Sequence, residues 1–338
     1  MSFGEYKLVL RKITFKKCLN ALWVYISYYI SVVYKKPFKS QAPIALSIEP
    51  TTSCNLRCPE CPSGLRQFTR PTGMLQKKLF EQIITEHQKT LLQLTFYFQG
   101  EPYLNPEFLD MVKIASERNI FTATSTNAHY LDEENARKTV ESKLDKLIIS
   151  IDGITQESYS TYRAGGQLDK VLEGAKNIVE WKRKLNSKTP HIVFQFIAMK
   201  QNENQISEIH QLGKEIGVNE VQIKTAQIYD FENGSSLIPQ NEKYSRYRTN
   251  KLGKWEIKNE LQNRCFRMWS SCVITWDGMV VPCCFDKDAK YPMGDLKIQS
   301  FNEIWNNQKY NDFRKSILKS RKEIDICKNC SEGTNVWS

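Results

Sequence analysis

Cys54, Cys58 and Cys61 are the densest chemistry-bearing group in this 338-residue chain. The spacing Cys-x3-Cys-x2-Cys puts three thiols on one short loop that can wrap a metal centre. Three thiolates on a four-iron cluster leave one iron without a protein ligand, and that corner can accept a substrate or cofactor. Paired cysteine spacings also suit tetrahedral zinc with a fourth ligand from elsewhere, so spacing alone leaves both readings open. Six further cysteines, Cys265, Cys272, Cys283, Cys284, Cys327 and Cys330, crowd the C-terminal part, and Cys18 stands alone. A chain of this length buries a core without disulfide staples. Its first residues show no short apolar run followed by a small-residue cleavage site, so the thiols are expected to stay reduced.

These residues need elements to position them. From residue 43 the chain alternates short apolar runs with longer amphipathic segments. Strands are expected at Ile44–Glu49, Leu94–Gln99, Phe121–Thr126, Leu147–Ile151, Ile192–Met199 and Val221–Lys224. Helices are expected at Gln76–Lys89, Pro106–Glu117, Asp132–Ser142, Leu168–Lys184 and Asn204–Ile216. Such alternation implies a parallel sheet curled into a barrel or part-barrel, with chemistry at the carboxyl ends of the strands. The notable residues do follow the strands: the three cysteines after the first, Gly100-Glu101-Pro102 after the second, Asn127 after the third, and Ser150 to Gly153 at the fourth. The fold class expected is α/β, a partial (β/α)6 barrel with a small C-terminal cysteine-rich α+β module and an N-terminal helix. The corresponding boundaries are 1–42 for the helix, 43–225 for the barrel, 226–262 for a connector and 263–338 for the module.

The net charge of +11 is unevenly placed. Residues 1–40 hold Lys7, Arg11, Lys12, Lys16, Lys17, Lys35, Lys36 and Lys39 against Glu5 alone, which is +7 of that total. The remainder is nearly balanced, so no nucleic-acid partner is expected. Residues 5–34 read as one helix, basic and amphipathic first, then apolar and rich in Trp23, Tyr25, Tyr28, Tyr29 and Tyr34. The apolar half rises only about 24 Å, short of the hydrocarbon thickness of a bilayer. Peripheral contact with an anionic membrane surface and packing over one end of the main domain both fit. The expected location is cytoplasmic, on the inner face of a membrane if that contact exists.

The ordered set of motifs from residue 43 to about 330 resembles the radical S-adenosylmethionine (SAM) enzymes, whose hallmark is Cys-x3-Cys-x2-Cys after the first strand of a partial barrel. That resemblance implies that Cys54, Cys58 and Cys61 hold a [4Fe–4S] cluster whose open iron binds SAM. It implies that Gly100-Glu101-Pro102 supplies Glu101 to the SAM ammonium, and that Ser150 and Arg163 contact the ribose or carboxylate, with Asn127 a further candidate. Gln99 replaces a family glycine, and Glu60 stands where many relatives carry an aromatic residue near the adenine.

In the tail, Val273–Trp276 and Met279–Val281 read as a β-hairpin with a two-residue Asp-Gly turn. Ser300 and Glu303 read as a capping box. The spacing Cys265-x17-Cys283, followed by Cys327-x2-Cys330, resembles the auxiliary-cluster module called SPASM, or its shortened twitch form. The resemblance implies that these four cysteines hold one auxiliary [4Fe–4S] cluster. Structural zinc is the competing reading for the tail. Cys272 and Cys284 are spare candidates that could replace a neighbouring ligand, or buried small hydrophobes, as is Cys18. The expected activity is reductive cleavage of SAM to a 5′-deoxyadenosyl radical that abstracts hydrogen from a small-molecule, sugar or peptide substrate. The expected electron donor is flavodoxin or ferredoxin. The competing functional class is a non-catalytic iron–sulfur protein for electron transfer or redox sensing at the membrane surface.

Overall fold

A computed structural model describes residues 3–38, 42–258 and 260–330. Six strands pair in parallel in chain order: β1 (Ala45–Ile48), β2 (Gln93–Thr95), β3 (Phe121–Thr126), β4 (Lys146–Ser150), β5 (His191–Ala198) and β6 (Glu220–Thr225). Helices follow them: α3 (Pro62–Leu65) and α4 (Lys77–His87) after β1, α5 (Phe108–Glu117) after β2, α6 (Glu133–Glu141) after β3, α7 (Gln156–Tyr162) and α8 (Leu168–Lys184) after β4, and α9 (Ile206–Ile216) after β5. One face of the strands is apolar and packs in the core, while Ser125, Ser150 and Gln195 line a cavity on the other. Phe96, Leu147, Ile149, Phe194 and Phe196 are all fully buried. This is the part-barrel that the alternation implies.

The second strand stops earlier than its apolar run suggests. After Thr95 the chain leaves the ladder, and Gly100 turns back against the loop after β1 at a φ of +73°. A Cβ at Gly100 would lie 2.2 Å from the Thr51 carbonyl oxygen, so this approach needs glycine.

The cysteine-rich tail continues the same sheet. Strand β9 (Ser271–Ile274) runs parallel to β1, with Ala45 opposite Ser271 and Ile48 opposite Ile274. Strands β10 (Met279–Val281) and β11 (Gly294–Asp295) add on antiparallel, giving the order β11-β10-β9-β1-β2-β3-β4-β5-β6. The hairpin is present, but its turn is longer than two residues. The Gly278 N–H bonds the Thr275 carbonyl around Trp276 and Asp277, and Gly278 itself takes the left-handed position at φ +89°. That is a turn followed by a glycine bulge rather than a two-residue loop. Helix α10 (Arg267–Ser270) precedes β9, and α11 (Phe301–Asn306) and α12 (Gln308–Ser320) follow β11. The Ser300–Glu303 capping box opens α11 as expected. The stretch before the tail holds a small hairpin, β7 (Tyr247–Thr249) with β8 (Trp255–Ile257).

The N-terminal segment is two helices, α1 (Phe3–Leu10) and α2 (Phe15–Tyr34), where one was expected. The break has two causes. Thr14 caps α2 through its hydroxyl, which accepts the Lys17 N–H. Lys12 is drawn inward to Asp145 at 3.0 Å and to the Ser116 hydroxyl at 3.2 Å. Helix α2 packs on the tail, where Tyr28 meets Phe266 and Trp269 edge-on. Cys18 is exposed rather than buried, because α2 turns a different face inward. Among the described residues, no helix is long and apolar enough to cross a membrane.

Candidate active site

The carboxyl ends of the strands open onto one cavity of about 410 Å³. Cys54, Cys58, Cys61, Gly100, Glu101, Asn127, Ser150 and Arg163 all line it, although they come from four different strand-to-helix loops. The loop after β1 is held from both sides. The Glu101 N–H donates to the Ser53 carbonyl at 2.7 Å, and the Arg57 N–H to the Ala164 carbonyl at 2.9 Å. Gly64 completes the fit, since a Cβ there would meet the Cys58 backbone at 2.6 Å.

Glu101 is buried, and its carboxylate accepts from the Thr126 hydroxyl at 2.7 Å, the Asn127 N–H at 2.8 Å and the Tyr103 N–H at 3.4 Å. Burial outweighs these donors and pushes its pKa up to about 7. A buried carboxylate with that history attracts a cation. Asn127 reaches the Asn55 side chain at 2.7 Å and the Cys54 sulfur at 3.9 Å, tying the end of β3 to the cysteine loop. Arg163 divides its guanidinium between Asp152, at 2.5 Å, and the Cys58 sulfur, at 4.0 Å. Ser150 lies 3.3 Å from Ser125, hydroxyl to hydroxyl, on the neighbouring strand. Glu60 accepts the Tyr229 N–H at 2.9 Å, so its carboxylate is tied to the connector.

The thiols fit a polynuclear metal group. Burial pushes the Cys54 thiol up to about 12 and raises Cys58 as well, so proton loss there calls for a bound cation. The nearest carboxylates are already engaged: Asp152 with Arg163, and Glu101 with Thr126 and Asn127. Among the described residues, no three His, Cys, Asp or Glu side chains gather closely enough for a single metal ion. Three thiols from one loop on the wall of one cavity suit three corners of a four-iron cluster.

In the tail, Cys265, Cys327 and Cys330 are buried around the Arg321 guanidinium, which donates to the Cys330 sulfur at 3.2 Å. Burial pushes Cys327 up to about 12 against the opposing Arg321, and burial alone would lower Arg321, but Cys265, Cys330 and Cys327 together outweigh it and raise its pKa. Cys283 interacts first with the neighbouring Cys284 side chain and is also within electrostatic reach of Cys265. The two spare cysteines separate. Cys272 turns into the hydrophobic core beside Arg314, as a small buried hydrophobe. Cys284 opens onto the central cavity and takes a 3.7 Å contact from Arg267, so it is not a core residue.

Sequence reasoning missed one end of the cavity. Tyr97, Gln195, Gln227, Cys284, Phe285 and Lys287 also line it. Gln195 carried a signal, as a polar residue inside the apolar run of β5. Lys287 carried none, because its place depends on the tail folding back over the barrel. Gln227, Phe285 and Lys287 also line a second cavity of about 330 Å³, between the connector and the tail.

Residues 48–212 match the model of the Radical SAM superfamily, and residues 265–331 match that of SPASM, an iron-sulfur cluster-binding domain. The tungsten-containing aldehyde ferredoxin oxidoreductase cofactor-modifying protein of Pyrococcus furiosus is 27% identical, over 85% of this chain and 86% of that protein. The PqqA peptide cyclase of Gluconobacter oxydans is 22% identical, over 87% of this chain and 84% of its own. The crystal structure of BtrN in complex with AdoMet and 2-DOIA shares the fold, with a TM-score of 0.53 and 20% identity over 89% of this chain and 97% of that one. With both family models matched in chain order, this chain belongs to the radical SAM superfamily as an enzyme carrying a C-terminal SPASM iron–sulfur domain.

Proposed function

We propose that Cys54, Cys58 and Cys61 hold a [4Fe–4S] cluster and that SAM binds beside it in the same cavity. Cys265, Cys283, Cys327 and Cys330 hold one auxiliary [4Fe–4S] cluster, three of these thiols lying around Arg321 and Cys283 within electrostatic reach of Cys265. When bound and reduced, the first cluster with SAM supplies a 5′-deoxyadenosyl radical that takes hydrogen from an unactivated carbon. The observation that carries this reading is the convergence of three thiols, Glu101, Asn127, Ser150 and Arg163 on one cavity.

The chain's own groups then have distinct tasks. Glu101 receives the ammonium of SAM, already oriented by three donors. Ser150 and Arg163 hold the ribose and carboxylate, and Asp152 fixes the guanidinium in place. The half-enclosed barrel end keeps water from the reacting carbon. Tyr97, Cys284 and Lys287 form the substrate end, with the second cavity as its approach. That space fits a small molecule or one side chain of a peptide. Both kinds of substrate are in keeping with the relatives, one named a cofactor-modifying protein and one a peptide cyclase. A flavodoxin or ferredoxin supplies the electron.

The test is anaerobic incubation with SAM and dithionite. Wild-type protein is expected to form 5′-deoxyadenosine and methionine, and Cys58→Ala to form neither. Iron-loaded wild-type protein that leaves SAM intact would overturn the proposal in favour of a non-catalytic iron–sulfur protein.

A further inference from the structure

Helix α2 is inside out. Its buried face carries Lys17, Asn20, Val24, Ser27 and Ser31, at the three- and four-residue spacing of one helical stripe, with Tyr28 beside them, so four of its six buried residues are polar. Lys17 is 1% exposed and Ser31 is fully buried. The polar groups of this face are satisfied by backbone: Lys17 donates to the Asn119 carbonyl at 2.6 Å, Asn20 to Ala42 at 2.9 Å and Ser27 to Phe38 at 3.1 Å. The opposite stripe, Phe15, Leu19, Leu22, Ile26, Tyr29 and Val33, keeps the same spacing and faces outward. Phe15 is 82% exposed, Leu22 55% and Val33 74%. Globular helices place these two stripes the other way round. A continuous apolar stripe of this kind marks a surface that something covers.

The charges around the stripe identify the occupant. Lys7, Arg11 and Lys16 are exposed at one end, and Lys35 and Lys36 at the other. Glu5, the only acid in residues 1–40, is buried and paired with Lys146. Two copies meeting stripe to stripe would bring like charges together, whereas an anionic surface neutralises both ends at once. Trp23 and Tyr29, both about half exposed, are residues that settle at the boundary between headgroups and acyl chains, while Tyr25 stacks on Phe266 of the tail. Twenty residues span about 30 Å along the surface. The polar stripe is committed to the protein, so the helix cannot cross the bilayer and must lie flat.

We propose that α2 is an interfacial membrane helix that seats this enzyme on an anionic lipid bilayer, with Phe15, Leu19, Leu22, Ile26, Tyr29 and Val33 inserted among the acyl chains. This surface does not depend on the chemistry of the cavity.

The experiment is flotation of the anaerobically purified full chain with vesicles of phosphatidylcholine alone or mixed with phosphatidylglycerol. Wild-type protein is expected to float with the mixed vesicles, less as salt is raised. The double substitution Leu22→Glu with Ile26→Glu changes only exposed positions and is expected to cut binding at least about tenfold, with iron content and circular dichroism unchanged. Lys35→Gln with Lys36→Gln is expected to weaken binding on the order of tenfold on mixed vesicles. Failure of the wild type to float, or equal flotation of the glutamate variant, would overturn the proposal. So would a wild-type dimer that the glutamate substitutions dissociate while vesicles bind neither form.

Discussion

Cys283 and Cys284 are consecutive and their side chains interact, with Cys283 within electrostatic reach of Cys265 and Cys284 lining the cavity of Cys54, Cys58 and Cys61. The expected tail ligand Cys283 is thereby one residue away from the lining of that cavity. Strand β10 feeds this pair, and its pairing with β9, itself beside β1, holds the tail against the barrel. Cys283→Ser is expected to lose one cluster's worth of iron. Cys284→Ser and Cys272→Ser should keep the wild-type iron content, with Cys284→Ser impaired in substrate turnover but not in SAM cleavage. Iron analysis beside product assays checks this. Equal iron in all three variants would remove Cys283 from the ligand set.

Glu101→Gln keeps the shape of the side chain and removes its charge. The amide oxygen can still accept from the Asn127 N–H while the Thr126 hydroxyl rotates to accept from the new NH2, so the fold should hold. SAM affinity is expected to fall roughly tenfold to a hundredfold, the worth of one charge-assisted hydrogen bond. Isothermal titration with the anaerobic protein reads the change, and undiminished affinity would place the SAM ammonium elsewhere.

Gly100 and Gly165 both sit at positive φ, +73° and +81°, but only Gly100 is crowded, since nothing lies within 4 Å of a Cβ at Gly165. Gly165→Ala is expected to cost about 1 kcal/mol of stability from backbone strain alone. Gly100→Ala must also push Thr51 away, and it is expected to cost more and to lower iron retention at the cysteine loop. Thermal unfolding and iron content compare the two. Similar behaviour would mean that the close approach to Thr51 is unimportant.

His87 is buried in a T-shaped contact with Phe301, at 4.3 Å between ring centres, and burial pushes its pKa down to about 4. The unfolded chain therefore holds more protons between about pH 6.5 and 4. Stability from this residue is present above that window and is lost as pH falls through it. The loss is on the order of 3 kcal/mol at the lower end. His87→Leu should flatten that part of the pH profile of the unfolding midpoint, and an unaltered slope would assign it to other groups.

The part-barrel and its catalytic end were legible because each parallel strand is a short apolar run bounded by amphipathic helix, and the notable residues follow the strands. The pairing of β9 with β1 was not, since strands more than two hundred residues apart leave no local pattern of their partnership. Lys287, Cys284 and Tyr97 escaped for the same reason: the tail must close over the barrel before they share a cavity. The break between α1 and α2 rests on Lys12 reaching Asp145, a long-range ion pair that overrides helix continuity. The composition of α2 was readable, but which of its stripes faces the protein was not.

The central claim is that the loop of Cys54, Cys58 and Cys61 binds a cluster with one iron left for SAM. The most direct measurement is electron paramagnetic resonance of the anaerobically reduced Cys265→Ala/Cys283→Ala protein, which should retain that cluster alone, recorded with and without SAM. The account predicts a cluster signal that changes shape when SAM is added. A cluster signal indifferent to SAM, or no iron retained at Cys54, Cys58 and Cys61, would contradict it.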